Sequence, residues 1–108
     1  MAYRVEILAA AQKDIRALRK PDQRRVVDVI EALGSDPRPQ GCKKLRGLES
    51  LYRIRLGQYR IIYTVSDTKT IVLALRVRHR RDVYDHLQDL NRHVRDIQAL
   101  LDKTLDQP

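Results

Sequence analysis

A chain of 108 residues has room for one domain of ordinary size, which sets aside two-domain enzymes, repeat arrays and large cofactor folds. Hydrophobic residues make up 43% and charged residues 33%, enough for one modest core and too apolar for a disordered chain; with no Phe or Trp, nothing suggests a deep aromatic cofactor pocket. Net charge is +8, and from Arg38 to Arg81 twelve Lys and Arg meet two acids, a net of +10, while the rest of the chain sums to −2. Charge concentrated in this way is the footprint of a polyanion-binding surface, the plainer alternative being a face that only solubilises.

The expected architecture is α+β in a single domain spanning 1–108. Tyr3 to Ile7 alternates as a short strand, with Tyr3, Val5 and Ile7 on one side. A first helix runs from about Ala9 to Arg19 on Ala11, Ile15 and Leu18, and Lys20-Pro21 breaks it. Pro21 suits the first turn of a second helix, striped by Val26, Val29, Ile30 and Leu33 and stopped at Gly34. Ser35 to Gly47, with two Pro and two Gly, reads as a loop carrying Arg38, Lys43, Lys44 and Arg46. Tyr52–Leu56, Tyr59–Val65 and Thr70–Val77 read as strands of an antiparallel meander. An amphipathic C-terminal helix is expected over 82–106, striped by Leu87, Leu90, Val94, Ile97, Leu101 and Leu105. Packing on the sheet is its simplest role; pairing with a partner helix or a second copy is the other.

The dipeptide Gly57-Gln58 suits a type II′ turn, which fixes the register beside it: Leu56 opposes Tyr59, Arg55 opposes Arg60, Ile54 opposes Ile61 and Arg53 opposes Ile62. Tyr52, Ile54, Leu56, Tyr59, Ile61 and Tyr63 then share a core face, and Arg53, Arg55 and Arg60 the other. Like charges opposed across a ladder destabilise it by up to ~1 kcal/mol, so a phosphate supplying the missing negative charge makes sense of them. Arg76, Arg78, Arg80 and Arg81 lie at the end of the last strand. An odd turn between Val65 and Thr70 brings Arg76 and Arg78 beside Arg60; an even one turns them away.

Lys44-Leu45-Arg46-Gly47, Tyr52-Arg53-Ile54-Arg55-Leu56, Tyr59-Arg60-Ile61-Ile62-Tyr63 and Val77-Arg78-His79-Arg80-Arg81-Asp82-Val83-Tyr84 resemble, in order and spacing, the RelE branch of the RelE/ParE superfamily of bacterial toxins. The resemblance covers Tyr3 to Tyr84. It implies a ribosome-dependent endoribonuclease that cuts messenger RNA in the decoding site, needs no cofactor or metal, and is held inactive by a RelB-type antitoxin, which can carry the complex to operator DNA. It places Arg60 on the scissile phosphate, Arg80 near the leaving group, and Tyr84 against the substrate base. Arg53 and Arg55, expected with these three in the catalytic set, stand where a familiar member has lysines. Lys43, Lys44, Arg46, Arg76, Arg78, His79 and Arg81 complete the expected RNA contacts. Arginine is a poor base, so Lys44, His79 and Tyr84 are the candidates for that role, each favoured in its unprotonated form by nearby cations. A ParE-type gyrase inhibitor and a basic module that binds RNA or the ribosome without cutting are the alternatives.

The other chemistry-bearing residues point nowhere further. Cys42 is single and has no evident partner base, and His86 and His93 are too far apart for a paired zinc motif. The N-terminus lacks the apolar run of a signal peptide and no stretch reaches the ~20 apolar residues of a membrane span, so the cytoplasm is the expected compartment.

Overall fold

The computed structural model describes residues 2–45, 47–48, 51–82 and 86–105, with side chains in the last helix as far as 96. Arg46, Tyr84 and the side chains of Ile97, Leu101 and Leu105 lie outside the described residues; the C-terminal helix expected from Asp82 begins at Leu87, Asp82 and His86 being turn residues, the latter with φ +58. The elements are β1 (Arg4–Ile7), α1 (Ala9–Arg16), α2 (Lys20–Ala32), β2 (Lys43–Lys44), β3 (Tyr52–Leu56), β4 (Tyr59–Ser66), β5 (Ile71–His79) and α3 (Leu87–Leu105). Among the described residues, no helix is long and apolar enough to cross a membrane.

The three long strands form the expected antiparallel meander, and β1 joins it by pairing parallel to β5. The sheet has the order β1-β5-β4-β3-β2. Two expectations need correction. Helix α1 stops at Arg16, three residues early, because the Ala17 N–H is shared between the carbonyls of Lys13 and Asp14 at 3.2 Å and the Leu18 N–H turns to Ile15, so the last turn tightens from i→i−4 to i→i−3 bonding. The segment from Ser35 to Gly47 is also not all loop. Lys43 and Lys44 pair with Arg53 and Tyr52 as a two-residue edge strand, too short to show a period and built from a residue depleted in strands.

Helices α1 and α2 cover one face, where Ile15, Val26 and Ile30 pack with Ile61, Ala74 and Val77. The other face carries Arg53, Arg55 and Arg60 at its hairpin end, as expected, and is apolar beyond it. Ile62, directly across from Arg53, is fully buried with Leu73 and Leu75 under Leu45, Leu48, Leu51 and the Leu87 and Val94 side chains of α3. The simplest expected role of α3, packing on the sheet, is the observed one over these residues. Each large apolar side chain so buried contributes roughly 1.5–3 kcal/mol.

Polar contacts close the periphery. At Gly34 a Cβ would stand 3.0 Å from the Tyr3 carbonyl and from Val5, so only glycine lets α2 end against β1. Tyr63 stacks on Tyr52 with ring centroids 5.6 Å apart and donates to the Pro37 carbonyl at 2.8 Å; burial, first of all, raises its pKa. Arg38 forks onto Asp67 at 3.0 and 2.8 Å, and Tyr3 donates to the same carboxylate at 2.7 Å. These bonds, that of Arg38 foremost, lower the Asp67 pKa. At the other edge β1 ends beside Ala74, and Asp14 of α1 takes over, accepting the Val77 N–H at 2.9 Å and both arms of Arg76 at 2.8 and 3.0 Å.

Asp14→Ala strips an acceptor from both the Val77 N–H and Arg76, and should lower unfolding free energy in urea by about 1–3 kcal/mol; a loss within experimental error contradicts this account of the edge. The Asp67 contribution has the sign of a depressed carboxylate: it is present above the unfolded-state pKa and lost as pH falls through the lower folded-state value. Amide-exchange protection of residues 35–42 should therefore persist into mild acid and fail below the ordinary carboxylate range, and Asp67→Asn should weaken it already at neutral pH.

Candidate nucleic-acid interface

The site begins with the turn. Gly57 has φ +59, while Gln58 is not left-handed, the pattern of type II′ and not of type I′. The register follows as expected, with Arg55 across from Arg60 and Arg53 across from Ile62. On the far side of β4, Arg60 lies directly across from Arg78 and Ile62 across from Arg76. Ser66 pairs with Ile71, so the intervening turn of residues 67–70 is even, and a regular ladder would send Arg78 to the opposite face. A bulge between Ile62 and Tyr63 in the β4–β5 pairing, with Leu75 as the extra residue of β5, shifts the register by one and restores the arginine to the face of Arg60.

Arg55, Arg60 and Arg78 thus form one row across three adjacent strands spaced about 4.8 Å apart. Arg60 is aimed by its own turn, its Nη1 donating to the carbonyls of Gly57 and Tyr59, both at 2.9 Å. Arg78 donates to the Asp82 carbonyl at 3.3 Å. The chain after β5 folds back on the hairpin, the Arg80 N–H meeting the Gln58 carbonyl at 2.7 Å, which brings exposed Arg80 and Arg81 to the same end. In the next row Lys43 faces Arg53. Among the described residues, no carboxylate lies within ion-pair distance of Lys43, Arg53, Arg55 or Arg80.

Other expected residues are placed differently. Asp14 takes the fork of Arg76 and raises its pKa, so Arg76 is a strut of the sheet edge and stands apart from the row. Lys44 is paired with Tyr52, and alternation along a strand turns it to the face opposite Lys43 and Arg53. The His79 Nδ1 accepts the Arg81 N–H at 3.2 Å, which puts the ring proton on Nε2, 3.1 Å from the Gln58 amide oxygen. Both ring nitrogens are engaged. Gln40 and Gly41, which no sequence signal singles out, line a cavity of about 320 Å³ together with Lys43, Arg53, Ile54 and Arg55. A larger hollow of about 840 Å³ runs along α2, but its lining mixes Lys20, Arg24 and Arg25 with Asp28 and Glu31, and it lies on the helical side of the sheet. Among the described residues, no group of three or more His, Cys, Asp and Glu is arranged to hold a metal ion.

Known proteins share this fold. The family described as ParE toxin of type II toxin-antitoxin system, parDE, matches residues 5–84. The mRNA interferase toxin RelE of Escherichia coli is 35% identical over 92 residues, 78% of this chain and 92% of the relative. Toxin RelG of Mycobacterium tuberculosis is 33% identical over 85 residues, 78% of this chain and 98% of the relative. An archaeal RelE–RelB complex from Pyrococcus horikoshii superposes with a TM-score of 0.66 at 34% identity, covering 74% of this chain and 97% of that one. With the fold, the ordered arginine motifs and the family match in agreement, the chain belongs to the RelE-type toxins of the ParE toxin family of type II toxin–antitoxin systems.

Proposed function

We propose that this chain is the toxin of a toxin–antitoxin pair and acts as a ribosome-dependent endoribonuclease, cutting messenger RNA in the decoding site. The observation that carries the reading is the in-register row of Arg55, Arg60 and Arg78 beside the Arg80 turn. Relatives named mRNA interferase support it, as do the toxin–antitoxin complexes that share the fold. A RelB-type antitoxin is the expected inhibitor and the link to operator DNA. Action on ribosomes places the protein in the cytoplasm, and residues 1–108 work as a single domain, since α3 contributes Leu87 and Val94 to the core of the sheet.

The RNA supplies its own nucleophile. A 2′-hydroxyl oxygen attacks the adjacent phosphorus, the bond from phosphorus to the 5′-oxygen breaks, and a cyclic phosphate and a 5′-hydroxyl result. One proton leaves the 2′-oxygen and one reaches the 5′-oxygen. The five-coordinate phosphorus carries added negative charge, which Arg55, Arg60 and Arg78 stabilise as fixed cations, the service a metal ion would otherwise perform. Lys44 faces away and the nitrogens of His79 are engaged, so of the three candidate bases Tyr84 remains, with positioning and charge carrying most of the rate. Arg80 attends the leaving oxygen and Tyr84 stacks on the base. Arg53, Lys43 and Arg81 hold flanking phosphates, with Arg46 assigned to the same task.

Adding the purified protein to translating ribosomes and mapping message ends should show discrete cuts, reduced ~100-fold or more by Arg60→Ala, the scale on which a transition-state charge partner is lost. Intact message with lost DNA supercoiling would point instead to gyrase inhibition, and intact message with the protein bound to ribosomes to a non-cleaving module. Arg55→Gln relieves a directly opposed like charge and should stabilise the fold by a few tenths to ~1 kcal/mol, less at high salt, while cutting falls at least about tenfold. A destabilised variant with full activity contradicts the assignment.

A further inference from the structure

Strand β2 covers only Tyr52 and Arg53 on the outer edge of β3, so among the described residues no strand lies beside that edge from Ile54 to Leu56. The 320 Å³ cavity opens at this uncovered edge. Its lining has a definite chemistry: Lys43, Arg53 and Arg55 bring three cations and no acid, and Gln40 an amide that both donates and accepts, while Ile54, whose side chain packs on the helical face, lies between the two arginines at the strand edge. Gly41, at φ +98, contributes bare backbone with open space where a Cβ would stand. The volume is at the small end of ligand pockets, sized for one nucleotide and not for two. Arg55 belongs both to the cavity and to the catalytic row, whereas Lys43 lies two strands across and two residues along from Arg60, about 12 Å away at ordinary strand spacing and rise. A nucleotide seated there is a neighbour of the one being cut.

We propose that this cavity is a nucleotide subsite that selects cutting sites: Lys43 and Arg53 hold the phosphate of a nucleotide flanking the cleaved bond, and Gln40 reads the edge of its unpaired base. Specific reading of single-stranded RNA works in this way, through hydrogen bonds to the edges of splayed bases while cations hold the backbone. The inference rests on the RNA-cleaving reading of the arginine row and adds to it a source of sequence preference.

Two measurements test it separately from that reading. In an NMR titration of the full chain with each of the four ribonucleoside 5′-monophosphates, the amides of Gln40, Gly41 and Lys43 should shift, with apparent affinity differing at least about threefold between bases and falling at least about threefold in Lys43→Gln. Absence of these shifts, or equal shifts from inorganic phosphate and all four bases, overturns the subsite even if the protein cuts RNA. In message-end mapping, Gln40→Ala should change the relative use of cut sites at least about threefold according to one flanking base, and an unchanged distribution overturns the base-reading role. If the wild-type protein cuts nothing, the nuclease reading fails and the titration alone decides whether the cavity selects nucleotides.

Discussion

Between Ile62 and Tyr63 the β4–β5 ladder slips by one residue, and that slip decides where the positive charge of the basic segment comes to lie. Without it, the four-residue turn would place Val77 across from Arg60 and send Arg78 to the helical side of the sheet. With it, Arg55, Arg60 and Arg78 are neighbours on one face. The arrangement opposes like charges twice, at up to ~1 kcal/mol for each pair. Beside them in β4, Ile61, Ile62 and Tyr63 are fully buried, each side chain contributing roughly 1.5–3 kcal/mol. Packing on both faces therefore outweighs the repulsion, and the fold can hold cations together that would not gather unaided.

The few acids near the basic segment are used at its margins. Asp67 takes Arg38 and ties the loop after α2 to the β4–β5 turn, and Asp14 takes Arg76 and closes the edge left by β1. Both pairs remove an arginine from the pool available to a ligand while fastening the sheet that presents the others. The groups left facing the hairpin end are those whose role is proposed to be catalysis and RNA binding. The same division explains why His79 is a strut of the turn: its ring is held between Gln58 and the Arg81 backbone, which keeps the Arg80 turn folded against the hairpin.

Much of this was legible in the residues because it depends on local rules. A two-residue turn opening on glycine leaves one register, so the opposition of Arg55 and Arg60 follows from Gly57-Gln58 alone. The apolar periods of α2 and of α3 around Leu87 and Val94 likewise announce the faces they bury. The bulge was not legible, since no glycine or proline near Leu75 marks it and the choice of register is settled by packing on both faces. Nor was β2, two lysines that become a strand only because β3 offers them an edge. The second core was hidden because Leu45, Leu48 and Leu51 lie in an irregular segment. The partnership of Asp14 with Arg76 joins residues 62 positions apart, and the cavity beside Lys43 draws Gln40 and Gly41 from a stretch that reads only as loop.

The central claim is that the arginine row meets an RNA backbone, and the salt dependence of single-stranded RNA binding tests it most directly. Each phosphate contact adds about −0.7 to the slope of log affinity against log salt. Replacing Arg55, Arg60 and Arg78 together by Gln should make that slope shallower by about 2, with the fold retained. A folded triple variant whose slope matches that of the wild type would contradict the account.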